Sequence, residues 1–200
     1  MIRIFMAEDQ RMLLGALGAL LNLEEDIEII GQATDGQEAV DSIKRLQPDV
    51  CLMDIEMPVK NGLEVAEELK VVLPTCKVII LTTFARPGYF ERAIKIGVHG
   101  YLLKDGSIED LAVAIRNVMK GQRVFDPELM FDTIREANPL TTREREILVL
   151  AAEGKTTKEM TSELFLSSGT VRNYMSEIIQ KLEVKNRIEA IRIAKEKGWI

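Results

Sequence analysis

The feature that most limits how this chain can fold is a regular alternation of apolar runs with helical periods across its first half. Apolar runs at 3–7, 27–33, 50–54, 77–82 and 100–103 read as strands, and between and after them 12–23, 37–46, 63–73, 89–96 and 108–120 repeat apolar residues at helical spacing. Such alternation predicts an α/β fold, a doubly wound five-stranded parallel sheet. Parallel neighbours need crossover connections, and these are almost always right-handed. Turn formers fall where the chain must reverse: Asp35-Gly36, Gln47-Pro48-Asp49, Lys60-Asn61-Gly62 and Asp105-Gly106.

The third run, Val50-Cys51-Leu52-Met53-Asp54, ends abruptly in a carboxylate, with Pro58 four residues on. In open α/β sheets ligands bind at the carboxyl ends of strands. Aspartate is also a common turn former, so Asp54 alone decides nothing. Its neighbours shift the balance. Glu8-Asp9 follows the first strand, Thr82 ends the fourth and Lys104 follows the fifth. A strand order of 2-1-3-4-5 makes strands one and three neighbours and gathers Glu8, Asp9 and Asp54 in one crevice. Three carboxylates repel unless a hard cation neutralises them, and Mg²⁺ takes such oxygen ligands. Each residue has a plainer reading: a helix cap for Glu8-Asp9, strand propensity for Thr82, a solvated strand end for Lys104. Together they make a phosphoryl-transfer site. A carboxylate attacks phosphorus to give an acyl phosphate, while Mg²⁺ and Lys104 offset the charge on the transferred oxygens.

Beyond Gly121-Gln122 the pattern changes. Asp126-Pro127-Glu128 supplies a helix start, and Met130, Phe131 and Ile134 recur at helical spacing, so 123–138 reads as a linker helix. Four helices follow, at 142–152, 157–164, 169–182 and 186–197. Charge divides the same way. Residues 1–122 carry 13 Lys and Arg against 19 Asp and Glu, whereas residues 138–200 carry 11 against 9. An acidic front and a mildly basic back indicate modules with different partners. Helices 157–164 and 169–182 have helix-turn-helix proportions. Val171, Ile178, Ile179 and Leu182 would face inward, and Arg172, Asn173, Ser176 and Gln180 outward. Arg and Asn suit base edges in the major groove. Thr156, Thr157, Lys158, Lys181, Lys185 and Arg187 flank that face and suit phosphates. An amphipathic helical module for protein contacts is the alternative.

Glu8-Asp9, Asp54, Thr82, Tyr101 and Lys104 resemble the receiver domain of two-component response regulators over residues 1–122. The resemblance implies a flavodoxin-like receiver with Asp54 as phosphoacceptor. It implies Mg²⁺ held by Glu8, Asp9, Asp54 and the main-chain carbonyl of Glu56, Thr82 bonded to the phosphoryl group, and Tyr101 as the aromatic that follows Thr82 inward. Glu8 stands where the family more often has Asp, and Asp105 where many members have Pro. Leu140-Thr141-Thr142-Arg143-Glu144-Arg145-Glu146, Gly169-Thr170-Val171-Arg172, Lys181-Leu182 and Asn186-Arg187 are similar to the LuxR-type helix-turn-helix. Receiver plus this module is the NarL/FixJ architecture, with domains at 1–122 and 139–200. It implies a sensor histidine kinase as phosphodonor, a double-stranded DNA operator, RNA polymerase as a further candidate partner, and a homodimer on activation. DNA contacts would come from Thr157, Lys158, Thr170, Arg172, Asn173, Ser176, Lys181, Lys185 and Arg187. Ile188, Ile191 and Ala194 of the last helix would form the pairing seam or pack on the module's own core. Tyr174 stands where the family often has His.

Two other readings compete with a phosphorylation-switched transcription regulator. One is a phosphatase with an Asp nucleophile, which usually carries a second Asp two residues on, where this chain has Glu56. The other is a receiver-like DNA-binding protein indifferent to phosphate. No apolar run approaches the roughly 18 residues of a membrane span, and the N-terminus lacks a signal-peptide core, so a cytoplasmic protein is expected. Cys51 and Cys76 then read as reduced core residues, and His99 as a surface loop residue.

Overall fold

The computed structural model describes residues 1–83, 86–127, 129 and 138–200. Two compact units emerge, one of residues 1–85 and 90–131, the other of 86–89 and 132–200. No helix among the described residues is long and apolar enough to cross a membrane.

The first unit runs β1 (Ile2–Ala7), α1 (Arg11–Leu21), β2 (Ile27–Ala33), α2 (Gly36–Leu46), β3 (Val50–Asp54), α3 (Gly62–Val72), β4 (Lys77–Thr82), α4 (Pro87–Ile96), β5 (Gly100–Leu103), α5 (Ile108–Met119) and β6 (Val124–Phe125). Every pairing is parallel, in the order β2-β1-β3-β4-β5-β6. The doubly wound sheet expected from the alternation is present, with one more strand than the five anticipated. Val124 N–H donates to the His99 carbonyl at 3.0 Å and Asp126 N–H to the Tyr101 carbonyl at 3.0 Å. Two residues leave no readable period, which is why a linker helix was expected from 123. The chain first runs along the sheet edge. Pro127 and Leu129 are helical, where a helix start is expected, and Met130, Phe131 and Ile134 lie outside the described residues.

Strand period fixes both layers. Ile4, Met6, Val50, Leu52, Ile79 and Leu81 pack against Leu14 and Leu21 of α1 and Leu111, Ile115 and Val118 of α5. Phe5, Cys51, Met53, Ile80 and Tyr101 alternate to the opposite face, and all are fully buried. Each large side chain buried this way contributes about 1.5–3 kcal/mol, so a β3 without one exposed residue is pinned from both sides. That pinning places Asp54 at the strand's carboxyl end.

His99 is built into the sheet. Its N–H donates to the Val78 carbonyl at 2.8 Å, and Val78 N–H donates to His99 Nδ1 at 3.2 Å. The imidazole thereby extends the β4–β5 ladder by one rung. Such a ring must stay neutral to accept. Burial, then the charges of Lys77 and Arg123, hold its pKa below the usual histidine value.

The second unit holds α6 (Thr142–Ala152), α7 (Thr157–Leu164), α8 (Ser168–Lys181) and α9 (Arg187–Glu196). Thr141 and Thr156 start α6 and α7 with reciprocal capping boxes to Glu144 and Glu159. Ser167 and Asn186 cap α8 and α9 through the amides of Thr170 and Glu189. Leu140, Ile147, Leu148, Met160, Val171, Ile178, Ala190 and Ala194 form the core. Ala194 therefore cannot belong to an exposed pairing seam. Residues 188 and 194 are six apart, about 120° around a helix of 3.6 residues per turn. Ile188 faces solvent at 79% exposure, Ala194 lies in the core, and Ile191 packs partly against it.

A folded-state pKa below the unfolded one means that the unfolded chain binds the proton first. The contribution of His99 to stability is thus complete above about pH 6.5 and is lost as the pH falls below it. His99 is the chain's only histidine, so its proton resonance can be followed directly. A midpoint below 6.5 is expected; one at or above 6.5 refutes a neutral, ladder-bound ring.

Candidate functional site

The carboxyl ends of β1, β3, β4 and β5 converge as the strand order requires. Parallel registers pair Ala7 with Met53, Asp54 with Leu81 and Thr82 with Leu103. Glu8 and Asp9, Asp54, Thr82 and Lys104 therefore stand in adjacent columns at one edge. Carboxylate oxygens of Glu8, Asp9 and Asp54 all lie within 4.8 Å of one another. Glu8 and Asp54 are buried and Asp9 is exposed. Into this group reaches Lys104. Its Nζ sits 2.6 Å from Glu8 Oε2 and 2.9 Å from Asp54 Oδ1, and all three side chains are 4–6% exposed.

The charges do not balance. One ammonium faces two buried carboxylates, with Asp9 beside them. Burial pushes the Glu8 carboxyl above its ordinary range; the Lys104 hydrogen bond opposes that shift and the Asp54 charge adds to it. Burial also works against the Lys104 ammonium. Hydrogen bonds and charge from Glu8 and Asp54 outweigh it and hold the lysine above its usual value. The helix-cap reading of Glu8-Asp9 fails: α1 is capped by Gln10 without a side-chain bond, while Glu8 Oε1 accepts from Gln10 N–H at 3.3 Å. An oxygen-only donor set suits a small hard cation.

The loop after β3 is held tightly. Ile55 N–H donates to Asp54 Oδ1 at 2.8 Å. Lys60 N–H donates to the Pro58 carbonyl at 2.8 Å around Val59, whose φ is +68°. That γ-turn is strained for a β-branched residue. Gly36 N–H fixes it by donating to the same Pro58 carbonyl at 3.1 Å. At the first position of α3, a Cβ on Gly62 would lie 1.9 Å from the Asp54 carbonyl oxygen. At Gly36 a Cβ would lie 2.1 Å from the Lys60 carbonyl oxygen. Sequence reasoning took both glycines for turn punctuation, because close approach of two backbones leaves no mark on a one-dimensional pattern. Glu56 lies in this loop, exposed.

Thr82 is buried, and its carbonyl accepts from Lys104 N–H at 2.8 Å. Tyr101 is fully buried, its ring edge-on to Phe90 at 5.3 Å, and Phe90 is edge-on to Phe125 at 5.8 Å. Phe90 and Phe125 extend an aromatic cluster that strand and helix periods did not join. The peptide after Lys104 is trans.

In the second unit Arg172, Asn173 and Ser176 are exposed along α8, as are Lys158 on α7 and Lys185 after α8, while Thr157 and Thr170 are half-buried. Two expected DNA contacts are used internally. Lys181 Nζ sits 2.7 Å from Glu144, whose carboxylate is buried. Arg187 donates to the carbonyls of Ala151 at 3.0 Å and Lys155 at 2.8 Å. Burial works against the Glu144 carboxylate, but hydrogen bonds from Lys181 and Thr141 outweigh it and keep its pKa low.

Residues 4–116 match the family model for the response regulator receiver domain, and residues 138–194 that for bacterial regulatory proteins of the luxR family. The chain is a response regulator of the luxR family. It is 70% identical over 200 residues to the uncharacterized transcriptional regulatory protein YvfU of Bacillus subtilis, covering 100% of both. It is 68% identical over 199 residues to the transcriptional regulatory protein DesR of the same organism, covering 100% of this chain and 99% of that one. A crystal structure of a LuxR-family DNA-binding response regulator from Staphylococcus aureus is 43% identical, with a TM-score of 0.58 over 60% of this chain and 99% of that one. Response regulators of this kind are transcription regulators and not enzymes, which retires the phosphatase reading. Receiver domains bind Mg²⁺ at an acidic pocket, and this response regulator has an acidic cluster where that pocket is expected.

Substituting Gly62 forces the β3–α3 loop off Asp54. Gly62→Ala is expected to lower receiver stability by about 1–3 kcal/mol, the usual range for overpacking, read as a lower denaturation midpoint in urea. An unchanged midpoint would mean that this contact does not hold the loop.

Proposed function

We propose that Asp54 accepts a phosphoryl group from the phosphohistidine of a sensor kinase and that this switches operator binding by the helix-turn-helix. One observation carries the reading: a buried ammonium shared between Glu8 and Asp54 at the sheet's carboxyl edge. Among the described residues, both polar contacts of the Asp54 carboxylate fall on Oδ1. Oδ2 keeps its lone pairs for phosphorus. It attacks, the phosphorus–nitrogen bond to the donor imidazole breaks, and the acyl phosphate remains on Asp54.

Mg²⁺ would be held by Glu8, Asp9, Asp54 and the Glu56 carbonyl, and bound there it offsets charge on the transferred oxygens. Lys104 then turns from the carboxylates to the phosphoryl oxygens, the Thr82 hydroxyl donates to one of them, and Tyr101 packs behind Thr82. Recognition follows from exposure on the second unit. Arg172, Asn173 and Ser176 read base edges, with Thr157, Lys158, Thr170 and Lys185 on phosphates. Lys181, exposed although paired with Glu144, and Arg187, bonded to the Ala151 and Lys155 carbonyls, flank that face for further phosphate contacts. One module buries little DNA surface, so two chains pair on the operator. This reading assigns 1–122 to the receiver, 123–138 to the link and 139–200 to the DNA module.

Incubating the full-length chain with acetyl phosphate and Mg²⁺ tests the first half. Intact mass should rise by one phosphoryl group in the native protein and not in Asp54→Asn; uptake by Asp54→Asn would refute the assignment. Without phosphodonor, Mg²⁺ at a hundredfold its dissociation constant should stabilise the native receiver by about 2.7 kcal/mol. Asp54→Asn should lose most of that gain.

On duplexes selected from random DNA by the phosphorylated protein, Arg172→Ala should weaken binding by about 1–3 kcal/mol and relax preference at one base pair. Lys158→Ala should weaken all sequences alike and flatten the salt dependence. Base preference unchanged in Arg172→Ala would remove α8 from direct readout.

A further inference from the structure

The chain's two cysteines lie away from the phosphoryl site and 25 positions apart in sequence, yet their sulfurs are 3.3 Å apart in the interior. Cys51 stands in β3 opposite Val78 of β4. Cys76 is two positions before Val78 and one ahead of β4, which brings its sulfur against that of Cys51. Cys51 is locked into a central strand. Cys76 lies in the turn that leads into β4, its N–H donating to the Leu73 carbonyl at 3.0 Å, so the ladder does not fix it.

Access is also unequal. Cys76 lines a cavity of about 270 Å³ with Lys70, Pro74, His99 and Arg123, and Cys51 does not. A polar-rimmed cavity of that size admits a molecule as small as a peroxide. Burial, reinforced by the adjacent Cys76, pushes the Cys51 thiol well above its ordinary range, so Cys51 keeps its proton.

We propose that Cys51 and Cys76 form a peroxide-oxidisable dithiol, with Cys76 as the entry thiol and Cys51 as the resolving one. The Cys76 sulfur attacks one oxygen of hydrogen peroxide; the O–O bond breaks, Cys76 becomes a sulfenic acid and one water leaves. The Cys51 sulfur then attacks the Cys76 sulfur. The S–O bond breaks, and the hydroxyl departs with the Cys51 proton as a second water. Two thiols are oxidised to one disulfide, and the peroxide is reduced to two waters. The new bond ties β3, which carries Asp54 three residues on, to the segment that opens β4, which ends at Thr82. The opposing effect is shelter: buried thiols react slowly. Contact between the sulfurs favours closure once Cys76 has reacted.

The test uses the full-length protein, exposed to hydrogen peroxide, quenched into denaturant with an alkylating agent and weighed intact. The native chain should lose two hydrogens, resist alkylation and recover both thiols with dithiothreitol. Held in contact, the pair should close at least about tenfold faster than in the same chain unfolded in urea. Cys51→Ser should leave a sulfenic acid on Cys76 that dimedone traps. Closure no faster in the folded chain, or two alkylatable thiols after peroxide, would overturn the proposal. Dimedone failing to label Cys51→Ser at Cys76 would overturn the order of attack.

Discussion

One ammonium between two buried carboxylates is the interaction on which the receiver's acidic pocket rests. Lys104 touches Glu8 and Asp54 at 2.6 and 2.9 Å in a space nearly closed to solvent. Burying any of these ions alone is costly, and removing one partner of such a group leaves an uncompensated charge. The sheet accepts the group because the strand order brings all three to one edge. The remaining excess of negative charge is what a hard cation would offset.

Much of this was legible in the sequence, for definite reasons. Strands buried on both faces leave unbroken apolar runs, so β3 and β4 fall where expected. Once their order is known, Glu8, Asp9, Asp54, Thr82 and Lys104 must meet. What stayed hidden depends on distance between segments remote in sequence. Gly62 reads as a turn former, but its role is set by the Asp54 carbonyl oxygen that a Cβ would meet. His99 reads as a loop residue because nothing in its neighbours announces that Val78 N–H donates to its ring. Cys51 and Cys76 each read as an apolar core residue, and only the β3–β4 register brings them into contact. Of the two roles open to Ala194, the core is the one it has, because three-residue steps from Ile188 drift around the helix onto the stripe that Ala190 and Ala194 share.

The DNA-binding unit solves a related problem differently. Its core is small, so ion pairs and caps fix the helices. Glu144 belongs to the capping box of α6 and also receives Lys181 from the last turn of α8. One carboxylate thereby sets the start of the first helix against the end of the third. Arg187, at the start of α9, donates to the Ala151 carbonyl in the last turn of α6 and to the Lys155 carbonyl ahead of α7. Lys181 and Arg187 thus hold helices together, while Lys158 and Lys185 stay exposed. The polar stripe of Arg172, Asn173 and Ser176 is left facing solvent.

The receiver also contains a mechanical link between its charges and its fold. Lys104 N–H donates to the Thr82 carbonyl, and three residues before Lys104, Tyr101 pairs in register with Ile80 of β4. Any exchange of partners by the Lys104 ammonium acts on a backbone already bonded to the end of β4. The loop after β3 offers no such freedom, since Gly62 and Gly36 press against carbonyl oxygens and Val59 is held in a strained turn. Asp54 is thus clamped on one side, while the Lys104 side of the site is tied to Thr82. Lys104 thereby ties the carboxylate edge to β4 and β5, where the rings of Tyr101, Phe90 and Phe125 pack edge to face.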